Sequence, residues 1–228
     1  MKKKILGVVL VIAGLMSIGV IHSASKRREV NDQQNERHGT FKQRLQRAKA
    51  RGDKKMRSYG VIPLYAQVDL DQALEIYDLV IGEFVSSKSF ATDDDGNILT
   101  WYKFKIHETV STAKRRVSQV DSPPAELLPL AHDEILIWKT GGSVEIDGME
   151  IEMEDLEFPP FEKSKKYLLV VAVDPAKQAG HVEVGPSGAL IIKSDDTMEP
   201  SGKNRTYFKR QIENRYGTSV SKLKEKVK

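Results

Sequence analysis

Between Val144 and Met153 the chain alternates without a break. Val144 and Ile146, then Asp147-Gly148, then Met149, Ile151 and Met153 form an apolar series, and Glu145, Glu150, Glu152 and Glu154 fill the positions between and just beyond them. A period of two is the pattern of a half-buried strand. A two-residue Asp-Gly loop has the twist that a tight hairpin needs. Together they predict a register in which Ile146 faces Met149 and Val144 faces Ile151, with the five apolar residues on one face and the glutamates on the other. The same register sets Glu145 against Glu150, and like charges directly opposite one another are unfavourable. A divalent cation, a basic partner or the basic arms of the chain itself would offset them; a solvated face is the plainer reading.

The rest of the middle of the chain reads the same way. Tyr77 to Ser89 is apolar and β-branched, an acidic turn follows at Asp93-Asp94-Asp95-Gly96-Asn97, and Ile98 to Val110 returns with Trp101, Lys103 and Lys105 alternating against Tyr102, Phe104 and Ile106. Glu134 to Thr140 is a strand ended by Gly141-Gly142, and Lys166 to Val173 is a nearly continuous apolar run, as expected of a strand covered on both faces. His181 to Val184 and Gly188 to Lys193 read as a last hairpin around Gly185-Pro186. Asp195 to Gly202 reads as a polar linker. Helical spacing is confined to short pieces. Thr40 to Ala50 has Thr40 as cap and Phe41, Leu45 and Ala48 as a thin stripe. Asp69 to Glu75 is capped by Asp69, with Leu70, Ala73 and Leu74 inward. Asn204 to Tyr216 stops at Gly217, and Ser219 to Val227 extends as a second basic helix. Many short strands with little helix between them predict a mainly β fold, an antiparallel barrel or sandwich of five to seven strands, with an N-terminal hydrophobic helix and a C-terminal helix.

The first residues carry a different message. Lys2, Lys3 and Lys4 precede an uncharged run from Ile5 to Ile21, and Lys26, Arg27 and Arg28 follow it. The run is short for a membrane-spanning helix and long for a signal-peptide core. The residues before any cut are poor for cleavage, because His22 or Ile21 falls where a small side chain is preferred. The segment is either an uncleaved anchor or a cleaved export signal, and in both cases the body lies outside the cytoplasm. The organisation expected is a signal peptide or anchor over 1–25, a basic stalk over 26–58, a β-barrel body over 59–202 and a basic helical tail over 203–228. Residues 26–58 hold 12 basic and four acidic side chains, and residues 203–228 hold nine and two. The net charge of the whole is only +4, so the body between the arms is strongly acidic. Such an arrangement bears on partners, not on fold.

Several stretches together resemble exported bacterial proteins of unknown function that carry a small OB-like β-barrel. Asp78-Leu79-Val80-Ile81-Gly82-Glu83-Phe84-Val85 is similar to their D-hydrophobic-V-hydrophobic-G-x-V strand. Tyr102, Phe104 and Ile106 follow their Y-x-F-x-V strand, and Ile135 to Gly142 their strand closing in two glycines. Pro159, Phe161, Tyr167, Leu168 and Leu169 follow their P-x-F…Y-L-L strand. The resemblance spans about residues 69 to 192. Ser164 stands where those proteins have glycine, and the connection at 111–132 is longer. The resemblance implies a barrel in the cell envelope and no particular activity.

Chemistry-bearing patterns are sparse. No cysteine is present, which removes disulfides and thiolate sites. His22, His38, His107, His132 and His181 are scattered without helical pairing, so no metal centre is expected. Aligning Gly96 to the glycine of a calcium loop puts Ala91 and Tyr102 where carboxylates belong. Ser187 lacks the surroundings of a nucleophile elbow, Gly202-Lys203 lacks the spacing of a phosphate loop, and no cofactor motif is found. The expected function is an exported, membrane-tethered envelope protein whose β-domain binds or scaffolds. Its partners would be the membrane and an envelope protein or anionic surface polymer, not nucleic acid. Two alternatives stay open. One is a secreted hydrolase with its site near the 111–132 connection and the face of Glu145, Glu150, Glu152 and Glu154. The other is a polyanion- or membrane-surface module acting through Lys26, Arg27, Arg28, Arg44, Arg47, Lys209, Arg210 and Arg215.

Overall fold

The computed structural model describes residues 40–58, 69–92, 96–115, 121–155, 158–182, 188–201 and 206–227. The N-terminal apolar run, Lys26 to Arg28, the acidic turn at Asp93 to Asp95 and Gly185-Pro186 lie outside the described residues. The chain divides into two compact units, 1–52 and 53–228.

In the first unit, helix α1 (Phe41–Arg51) is capped as its sequence predicts. The Thr40 side chain accepts from the Gln43 backbone and the Gln43 side chain accepts from the Thr40 backbone. Phe41, Leu45 and Ala48 are its buried stripe.

Among the described residues, the second unit holds ten strands. Strand β1 (Lys55–Arg57) is followed by helix α2 (Leu70–Ile76), capped by Asp69, and by two long strands, β2 (Asp78–Ala91) and β3 (Ile98–Ser111). A short 3₁₀ turn, Ala125–Leu127, precedes β4 (Glu134–Thr140), β5 (Gly142–Ile146) and β6 (Met149–Met153). Then come β7 (Lys166–Asp174), β8 (Ala179–Val182), β9 (Ala189–Ile192), β10 (Met198–Pro200), α3 (Thr206–Tyr216) and α4 (Val220–Val227).

Seven strands form one sheet in the order β10-β9-β7-β2-β3-β4-β8, and β8 also pairs with β7, so β7-β2-β3-β4-β8 close into a ring of five. Three register shifts in the β2–β3 pair bend these strands, as closing a ring requires. The pairing is not wholly antiparallel: β8 runs parallel to β4, and β1 runs parallel to β6 in a second, three-stranded sheet with β5. Inward-facing Val80, Phe84, Tyr102, Phe104, Ile137, Tyr167, Leu169 and Val171 fill the ring. The alternate residues Leu79, Ile81, Leu168 and Val170 face outward and are covered by Leu70 and Ala73 of α2, Ile212 of α3 and Val220 and Leu223 of α4. This explains why β7 reads as a continuous apolar run: both its faces are covered.

Three expectations change. The last hairpin is not one, because β8 and β9 do not pair with each other. Both lie antiparallel along one edge of β7, β8 against Val171 to Asp174 and β9 against Lys166 to Leu169, as two halves of one interrupted strand. A nine-residue β7 has room for both, and a local pattern cannot tell a turn-back from a break. The linker at 195–202 contains β10, which pairs with β9. Finally, β1 lies in the stretch read as stalk, and the compact unit runs from Asp53.

Candidate functional site

The acidic hairpin forms in the predicted register, with Val144 opposite Ile151, Ile146 opposite Met149 and Glu145 opposite Glu150. What offsets the glutamates is the basic arm. Strand β1 adds to the β6 edge with Lys55 beside Glu150 and Arg57 beside Glu152, and Lys55 Nζ lies 3.5 Å from Glu150 and 3.1 Å from Glu152. Backbone bonds fix the strand: the Glu150 N–H donates to the Lys54 carbonyl and the Ser58 N–H to the Glu152 carbonyl. The Ser143 hydroxyl donates to Glu150 at 2.9 Å. Glu154 is exposed and lies past the end of β6. On the Glu150 and Glu152 side of this face, a cation therefore comes from the chain itself.

Two of the three basic residues singled out in the tail are engaged as well. Lys209 pairs with Glu213 at 2.7 Å, Arg215 pairs with Asp71 of α2, and Arg210 is exposed. Arg44 and Arg47 belong to α1 in the other unit; Arg47 Nε donates to the Gln43 carbonyl. The tail is a docked, core-contributing element, with Leu223 and Ile212 fully buried.

Two constellations went unrecognised in the sequence. The first closes one end of the ring. Phe158 and Phe161 insert from the 158–165 connection, and the Phe161 ring lies 4.9 to 5.4 Å from those of Phe104, Tyr102, Tyr167 and Phe158, edge to face with each. Among these rings sits Lys139, only 6% exposed. Its ammonium donates to the Phe158 carbonyl and stands 4.7 Å over the Phe158 ring. Asp155, also buried, accepts from the Phe158 N–H at 2.9 Å. Burial lowers the Lys139 amine to about 8, against the opposing pull of the Asp155 charge. Burial likewise raises the Tyr102 phenol, and pushes Tyr167 up to about 12. The neighbouring Gly141-Gly142 turn is equally constrained. The Thr100 hydroxyl donates to the Gly141 carbonyl at 2.5 Å, and a Cβ on Gly142 would overlap the Thr100 and Ser89 hydroxyls.

The second constellation crosses the outer face. Lys88 of β2, Trp101 of β3, Trp138 of β4 and His181 of β8 are register partners in one row, and directly opposed residues share a face. The Trp138 and His181 rings are 5.4 Å apart. Leu127 and Leu130 of the 121–131 segment pack on the cluster of Trp101, Leu136 and Ala179, and Glu126 reaches Lys88 at 2.8 Å. A signal existed: the chain has two tryptophans, and both fall on adjacent strands. Their alignment depended on a register that the 22-residue connection hid. Among the described residues no group of three His, Asp or Glu is placed to hold a metal ion, and no helix is long and apolar enough to cross a membrane. Comparison of the chain with protein-family models, curated proteins and solved structures finds no match.

Proposed function

We propose that the chain is an exported, membrane-tethered protein of the cell envelope whose β-domain binds or scaffolds without catalysis. The observation that carries the reading is the row Lys88–Trp101–Trp138–His181 on the outside of the closed ring. Numbered within the ring, the strands follow 1-2-3-5-4 with strand 5 parallel to strand 3, the connectivity of an OB-like barrel. OB barrels bind ligands on the face of strands 2 and 3, here β3 and β4, where both tryptophans stand. Two of the four carboxylates of the acidic hairpin, Glu150 and Glu152, are engaged with Lys55 and Ser143, which weighs against the hydrolase alternative. The pairing of Lys209 and Arg215 argues against a free polyanion surface on the tail.

The apolar run at Ile5 to Ile21 and the basic residues behind it support the tether. Crosslinking of the tagged full chain in cells, followed by membrane fractionation, tests the reading. The expected result is membrane-associated chain joined to an envelope component through an adduct that Trp138→Ala weakens. Recovery as soluble monomer without any adduct overturns it.

A further inference from the structure

We infer that the outer aromatic face is a groove for an acidic, leucine-containing peptide, and that residues 121–131 occupy it as a displaceable strap. The inference deepens the binding-domain reading and rests on it. The strap, Asp121-Ser-Pro-Pro-Ala-Glu-Leu-Leu-Pro-Leu-Ala131, shows what the face accepts. It sets one carboxylate on the cation at the end of the row, Glu126 on Lys88, and two leucines on the tryptophan layer.

The strap is lightly held. Among the described residues, its backbone bonds from 121 to 130 are those of its own 3₁₀ turn, Leu127 N–H to the Pro124 carbonyl and Leu128 N–H to the Ala125 carbonyl; Ala131 at its end is the tied point, its N–H donating to Glu134 at 3.0 Å and its carbonyl accepting from Gln178 at 2.9 Å. The Lys88–Glu126 pair is 53% exposed on both sides, and exposed ion pairs contribute little. Leu128 remains 46% exposed. The strap also leaves a need unmet: Trp138 Nε1 is buried without an acceptor among the described residues. A ligand that places a carbonyl there gains a bond that the strap does not make.

Both tryptophans of the chain lie in this face, so fluorescence excited selectively at tryptophan reports it. The test titrates a synthetic peptide of residues 121–131 into the full chain and into the double variant Leu127→Ser/Leu130→Ser, with folding checked by circular dichroism. The variant is expected to bind saturably and at least tenfold tighter than the wild type, whose own strap competes. A Glu126→Lys peptide, which sets a lysine against Lys88, should bind about threefold more weakly, and Trp138→Ala should abolish the signal. Should the double variant fail to fold, wild-type chain at saturating peptide is read by hydrogen exchange, where the Leu127, Leu128 and Ala131 amides, the bonded ones of the strap, should lose protection. A folded variant that ignores the peptide, binding indifferent to Glu126→Lys, strap exchange unchanged at saturating peptide, or retention of an acidic oligosaccharide in place of the peptide each overturns the inference. Membrane fractionation reads the tether separately, so failure of the groove and failure of the tether are distinguishable.

Discussion

Replacing Lys139 by methionine should change how stability depends on pH. In the folded chain the amine titrates at about 8, against an ordinary value of 10.5, because burial among Phe158, Tyr102 and their neighbours disfavours its charge. Below pH 8 both folded and unfolded chains hold the proton, and the cost of the buried charge is fully present. Between about 8 and 10.5 the unfolded chain keeps a proton that the folded chain has lost, so stability from this group rises with pH. At 1.36 kcal/mol per unit, the rise by pH 9.5 is about 2 kcal/mol. Urea unfolding of wild type and Lys139→Met at intervals from pH 7 to 9.5 measures it as a difference, which cancels the titration of groups common to both. The wild type should gain about 2 kcal/mol on the variant across that interval. Parallel pH profiles would refute the placement of a charged amine in the ring.

Four further outcomes test the packing. Leu223→Ala should cost about 3 kcal/mol in the same unfolding assay, since Leu223 is fully buried against the ring; a loss within error would mean that the tail does not dock. Gly142→Ala should cost more than about 2 kcal/mol, combining a φ of 130° with overlap on Thr100 and Ser89. Gly148→Ala, strained at φ 76° but with open space around it, should cost only about 1 kcal/mol. Glu145→Lys should stabilise by about 0.5 kcal/mol by removing the opposition to Glu150, a gain that thermal melts should show shrinking as salt is added.

Local signals carried most of the strands. The alternation around Asp147-Gly148 gave the register residue by residue, because a period of two and a two-residue turn leave no freedom. The caps at Thr40 and Asp69 were equally legible, since a cap is a contact between near neighbours in sequence. What stayed hidden was long-range. Nothing local distinguishes β8 and β9 as a hairpin from two pieces along β7, and nothing local says that β4 pairs in parallel with β8. Lys139 sits in a strand whose alternation reads normally, and its burial follows only from closure of the ring around the aromatic rings. The partner of the glutamate face was foreseen as one of three options. Choosing among them required the parallel pairing of a three-residue strand nearly a hundred residues earlier, which no pattern announces.

The most direct test of the proposed tethered envelope domain is protease treatment of intact cells that express the full chain with a C-terminal tag. Export with a retained anchor predicts that the tag is digested from outside and that the untreated chain stays with membranes through alkaline carbonate washing. A tag protected until the cells are lysed, with the chain in the soluble fraction, would contradict it.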